Sequence, residues 1–149
     1  MKSIKNDSLS IINSNIPSLP KGLGDLRGTQ LPNHDLLVSG GYTGSKWNDE
    51  YLRFSLSSNQ WKKVGTMKIA RKSHSSVLLN GCLYSCGGRD SSGKRTSHHE
   101  VLDLEGRVEE KKELPFALSR HSAHKLNENQ YMVIGGWNDA NVRKSFINH

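Results

Sequence analysis

The stretch Gly88-Arg89-Asp90-Ser91-Ser92-Gly93-Lys94-Arg95 comes nearest to a chemical signature in this sequence. Two glycines and a later lysine approach the spacing of a phosphate-cradling loop. That chemistry needs a Ser or Thr after the Lys to hold Mg²⁺, and a helix whose N-terminus faces the phosphates. Arg95 occupies the hydroxyl position, and the following His98-His99-Glu100-Val101-Leu102 reads as strand. Nucleotide binding is therefore not expected. His121 and His124 fall on opposite faces of a strand, as do His98 and His99. Cys82 and Cys86 lie in one strand, about 13 Å apart at about 3.3 Å per residue, too far to bridge or to share one ion. No three or four ligands stand at zinc spacing, and no nucleophile elbow surrounds any serine. The expectation is no catalytic residue, no metal and no cofactor.

Charge and composition narrow the partners. The chain has 149 residues and a formal net charge of +7. The basic residues are scattered, the densest set being Lys62, Lys63, Lys68, Arg71 and Lys72, and they form no nucleic-acid-binding block. No run approaches the 18 apolar residues of a membrane span, and the start, MKSIKNDSLSIINSNIPSLP, has no continuous apolar signal region. Two unpaired cysteines suit a reducing compartment. A soluble, cytoplasmic protein without nucleic-acid or membrane partners is expected.

The elements that must position any site are set by three glycine pairs, Gly40-Gly41, Gly87-Gly88 and Gly135-Gly136, spaced by 47 and 48 residues. Each closes a short apolar run. A 47-residue shift also superposes Asn33 on Asn80 and Asn127, His74 on His121, and Phe54 and Trp61 on Val101 and Val108. Recurrence at this period marks an array of β units. Each unit reads as four short strands: A at 27–32, 74–79 and 121–126, B into the glycine pair, C at 50–56 and 98–104, D at 60–65 and 107–113. The first 26 residues are polar and aperiodic and read as a poorly ordered lead-in. The organisation expected is a polar segment 1–26 and repeats at 27–66, 67–113 and 114–149, the last truncated.

These units resemble the kelch repeat, the blade of a kelch β-propeller. The resemblance rests on the apolar run into Gly-Gly, on Phe54 seven residues before Trp61, on Arg71 and Arg120 just before strand A, and on the small-polar start Lys72-Ser73-His74-Ser75. It implies an all-β fold, an incomplete propeller of about three four-stranded antiparallel blades. Strand A would line the central channel and strand D would lie outermost. Gly40, Gly41, Gly87, Gly88, Gly135 and Gly136 would be structural repeat positions, with Phe54 and Trp61 packing blade on blade. Valine at 101 and 108 would pack the second blade more loosely. Propellers have 4–8 blades, so this length would leave the ring open. Some kelch propellers are oxidases with a crosslinked Cys-Tyr copper site. Tyr84 and Cys86 share a strand here, but no matching histidine pattern accompanies them, and an enzyme is not expected.

In such a blade the A–B and C–D turns emerge on one face and the longer B–C and D–A loops on the other. The first face carries Asp35, Glu105 and Glu128 and no Lys or Arg. The second carries ten Lys or Arg residues against four acids. Arginine beside Tyr and Trp on long loops is binding-surface composition. The candidate partner-binding residues are Tyr42, Trp47, Arg71, Arg89, Lys94, Arg95, Arg120, Trp137 and Arg143. The partner expected is an acidic segment of another protein. The resemblance further implies either a substrate receptor of a cullin ubiquitin ligase, which needs a BTB or F-box domain elsewhere, or an actin-binding role.

Overall fold

The computed structural model describes residues 15–139 and 145–148. They contain strands and turns and no helix. Strands β1 (Arg27–Gln30), β2 (Leu36–Ser39), β3 (Glu50–Ser55) and β4 (Gln60–Thr66) form one antiparallel sheet in that order. The short β5 (Arg71–Lys72) follows. Strands β6 (Ser75–Leu79), β7 (Cys82–Cys86), β9 (His99–Leu102) and β10 (Val108–Glu110) form the second sheet in chain order, with β8 (Arg89–Asp90) between β7 and β9. A third sheet comprises β11 (Ser122–Asn127), β12 (Gln130–Ile134) and β13 (Ser145–Asn148). This is the arrangement of an incomplete kelch-type β-propeller, two full blades and a partial third, with no closure among the described residues.

Hairpin chemistry sets the blade tips. Asn80 and Gly81 both have positive φ, at 49° and 77°, between β6 and β7. That is the Asn-Gly pattern of a tight hairpin turn whose twist matches the flanking strands. Asp103 holds the β9–β10 turn by accepting from the Glu105 and Arg107 amides.

Apolar side chains collect between blades. Leu37, Tyr51, Met67, Leu83 and Leu102 bury themselves between the first and second sheets. Val77, Leu79, Cys86, Leu114, Leu118, Tyr131 and Val133 do the same between the second and third. Val101 is buried and Val108 packs against the first of these clusters. Phe54 is buried and stacks on Trp61 at 5.2 Å.

The glycine pairs are explained by what lies on them. A Cβ on Gly40 would come within 2.7 Å of the His74 ring and closer still to the Arg71 carbonyl. A Cβ on Gly87 would collide with His121 and would lie 2.8 Å from the Leu118 carbonyl. Both glycines also hold φ near +60°, which a side chain strains. The next blade therefore seats its histidine on the preceding glycine pair. Backbone bonds repeat with it: the Gly41 amide donates to Arg71 and the Gly88 amide to Leu118, and the Ser73 amide donates to Asp25 and the Arg120 amide to Ser73.

The described part of the lead-in differs from its expected disorder, while residues 1–14 lie outside the described residues. Residues 15–26 run along the first blade as a docked segment. Trp61 donates its indole N–H to Pro17 at 3.0 Å, and Asn59 donates to Asn15 at 3.1 Å. Lys21 pairs with Glu50, and Gly24 exchanges backbone bonds with Tyr42. The segment stays largely exposed, and its Asn15 and Pro17 carbonyls and the Lys21 ammonium bond to side chains of the sheet.

Candidate functional site

The glycine-pair end of the array builds the site, because the described exit after each pair is tied to the segment that leads into the same blade. Gly24 bridges Tyr42, β5 pairs β8, and Ser119 bridges Trp137. These are the same backbone contact repeated once per unit. It places Tyr42, Arg89 and Trp137, each directly after a glycine pair, at equivalent points of one face. Within two of the loops the pairing continues, Tyr42 with Trp47 and Arg89 with Arg95. One repeat position thus carries an aromatic pair in the first unit and an arginine pair in the second.

Arg89, Arg95, Arg120 and Trp137 line one open pocket. The Arg95 Nε donates to Ser119 Oγ at 3.1 Å, and its guanidinium also pairs with Asp139, whose side chain is 80% exposed. Trp137 and Arg120 are exposed and Arg89 is half-buried. The Arg120 guanidinium makes no ion pair among the described residues. Arg120 has a φ of +57°, and its amide is fixed by Ser73. Lys94 is exposed beside the pocket, in a turn held by Asp90 Oδ1 accepting from the Ser92 and Lys94 amides. Those bonds, led by the Ser92 hydroxyl, keep the Asp90 carboxyl below the usual carboxylate range. Three guanidiniums around one indole form an anion-seeking surface suited to carboxylates through charge-assisted hydrogen bonds.

Arg71 does not belong to that surface. Its side chain is 0% exposed, and it forms an ion pair at 3.3 Å with the equally buried Glu100. It also donates to the His98 carbonyl at 3.0 Å. Glu100 accepts further bonds from the Tyr51 hydroxyl at 2.8 Å and the Lys68 amide at 3.1 Å, and it contacts His98 Nε2 at 2.9 Å. Burial pushes the Glu100 carboxyl up, but His98, Arg71, Tyr51 and the Lys68 amide together hold it below its ordinary value. Burial, then the Glu100 charge, pushes the Tyr51 phenol well up. A loop arginine was expected to be solvated, and the reason it is not lies 29 residues onward. The acid within the apolar run His99-Glu100-Val101-Leu102 was the available signal, since an acid buried in a strand needs a cation.

Tyr42 and Trp47 are placed on the face but are already engaged. Their rings lie 5.4 Å apart, and the Lys72 ammonium sits 4.8 Å and 5.3 Å from the two centroids. Asp25 closes that group at 3.6 Å from Lys72. Neither Lys72 nor Asp25 was among the candidate partner-binding residues, because their proximity depends on the docking of residues 15–26. Arg143 lies outside the described residues.

Residues with other possible chemistry are dispersed into structure. Tyr84 stacks near His99 and Tyr131, whereas Cys86 faces Ser75 and His121. Both cysteines are free. His121 donates from Nε2 to the Cys86 carbonyl at 3.0 Å, and burial drives its pKa down to about 4. No group of three or more His, Cys, Asp or Glu suited to a metal occurs among the described residues, and no helix is long and apolar enough to cross a membrane.

Residues 70–108 match the kelch motif. That stretch, the second sheet of the array with the segment leading into it, is therefore similar to a kelch repeat. Beta-scruin of Limulus polyphemus is 36% identical over 84 residues, 56% of this chain and 9% of that protein. Alpha-scruin of the same animal is 40% identical over 52 residues, 35% of this chain and 6% of that protein. Kelch-like protein 21 of Rattus norvegicus is 45% identical over 51 residues, 34% of this chain and 8% of that protein. The chain thus spans less than a tenth of the length of these relatives. Kelch repeats typically serve as protein-interaction modules.

Proposed function

We propose that this kelch array captures an acidic segment of a partner protein on its glycine-pair face and is not an enzyme. The pocket of Arg89, Arg95, Arg120 and Trp137 carries the reading. Lys94 borders it, and Arg143 is included from the sequence. Guanidiniums would take the carboxylates in bidentate fashion while the indole covers the intervening apolar stem. The repeat bounds we propose for the unit that supplies each group are 27–66, 67–113 and 114–149, and the location we propose is cytoplasmic. Within this reading the module serves as substrate receptor of a cullin ubiquitin ligase. Actin or cytoskeletal binding is the alternative from the family resemblance, and filament cosedimentation would favour it.

A fluorescent Glu-rich peptide titrated with the purified chain tests the reading. Arg89→Glu with Arg120→Glu should weaken binding at least about tenfold, with an unchanged circular dichroism spectrum. Undiminished binding by that folded variant would overturn the assignment.

A further inference from the structure

The Tyr42–Trp47 pair lies outside the arginine pocket, and its chemistry has the opposite sign. Two electron-rich ring faces lie 5.4 Å apart at 54°, with the Asp25 carboxylate as the third wall. The pair is rigidly presented. Its hairpin is closed by the Thr43 amide donating to the Lys46 carbonyl and the Lys46 amide donating to Thr43 Oγ1, both near 3 Å. The Tyr42 hydroxyl donates to the Gly44 carbonyl, fixing that ring. Aromatic faces with a carboxylate attract ammonium groups, and methylated ammonium best of all, because its hydration is weak while its charge remains. The group now held there is the chain's own Lys72 ammonium, within 5.3 Å of both centroids and still 26% exposed. Besides the rings it meets only Asp25 among the described residues, at 3.6 Å, and it is carried on a flexible four-carbon stem.

We propose that Tyr42, Trp47 and Asp25 form a binding box for an alkylated ammonium group, with Lys72 as an intramolecular occupant that such a ligand displaces. The box stands on different residues from the acid-binding pocket and does not depend on it. A displaced Lys72 would swing into solvent on the same basic face, so occupation of the box adds a cation to the surface beside it.

The test is titration of the full chain with tetramethylammonium chloride, followed by the Trp47 indole N–H resonance, with sodium chloride at equal ionic strength as control. Trp47→Phe assigns that resonance. Lys72→Met keeps the apolar stem, removes the competitor and should give a saturable shift. Wild type should saturate at about tenfold higher concentration. Lys72→Met combined with Tyr42→Ala should lose the response, while the Trp61 resonance reports that the blade remains folded. Choline and N-trimethyllysine, run separately, distinguish a small-molecule cation from a protein-borne one. A Lys72→Met chain with no saturable shift beyond the sodium control would overturn the proposal. Equal saturation of wild type and Lys72→Met would overturn the role of Lys72.

Discussion

The histidines seated on the first two glycine pairs, His74 and His121, are residues on which this array's stability turns. His121 is 2% exposed and neutral, with Nε2–H committed to the Cys86 carbonyl and Nδ1 unpartnered in the interior. Its pKa falls to about 4 from an ordinary 6.5, burial being the main cause, and His74 moves the same way for the same reason. Between those values the unfolded chain binds a proton that the folded chain refuses. Stability therefore falls as pH drops from about 6.5 to about 4, then levels for this group. The full effect of His121 is on the order of 3 kcal/mol. Urea midpoints measured across that range should decline for wild type. They should decline less steeply for His121→Gln, even though this variant is weaker at pH 7. A parallel slope would remove His121 as the cause. Glu100 works at lower pH in the same direction. Its pKa lies below 4.5 in the fold, so its contribution is present above that value and lost as pH falls through the depressed one. Deleting its carboxylate strands Arg71 in the interior. Glu100→Ala should cost about 3–5 kcal/mol, read as a fall in the urea midpoint at pH 7, where an exposed acid such as Glu109 should cost almost nothing.

At the scale of strands and turns, the glycine pair is a steric requirement of blade packing, and it can be separated from general glycine effects. Gly40 combines φ of +60° with the His74 ring 2.7 Å from any added Cβ. Gly28, in β1, has no atom within 4 Å of one. Gly40→Ala should therefore destabilise by about 2–4 kcal/mol, while Gly28→Ala should be neutral or slightly stabilising, with thermal melts as the measurement. The period that carries the glycine pairs also carried the strands. The expected A strand 74–79 is observed as Ser75–Leu79 and the expected D strand 60–65 as Gln60–Thr66. Apolar alternation and turn residues are local signals, so they survive in one sequence. Two features were not local. Arg71 reads as a loop cation until Glu100 is folded against it. Residues 15–26 look aperiodic because their ordering comes from a foreign edge, through Trp61 and Glu50, and not from a pattern of their own. The arginine pair of the second unit was visible in sequence as basic composition. The 47-residue shift already sets Arg89 where Tyr42 stands, but that Arg95 answers Trp47 follows only from the bridges, since the same shift lands on Lys94.

Across the whole molecule the basic face is less charged than its composition, because several of its cations are spent internally. Arg71 answers Glu100, Lys72 answers Asp25 and two rings, and Arg95 answers Asp139. The last of these matters for capture, since Asp139 presents a carboxylate to the same guanidinium that an acidic partner would seek. An exposed pair of this kind is worth about 0.2–1 kcal/mol, so an incoming carboxylate must displace it at that cost. Asp139→Asn should then tighten binding of a Glu-rich peptide by about two- to fivefold. Asp90→Asn is the discriminating comparison. It removes the same formal charge from the same face, yet Asp90 is occupied by the Ser92 and Lys94 amides and not by a pocket guanidinium. If affinity follows net charge alone, both variants will tighten binding equally. If the pocket is the binding element, Asp139→Asn will exceed Asp90→Asn. The excess should shrink as ionic strength rises from about 0.05 M to about 0.5 M, because the gain is electrostatic and is screened over a Debye length that falls well below 10 Å.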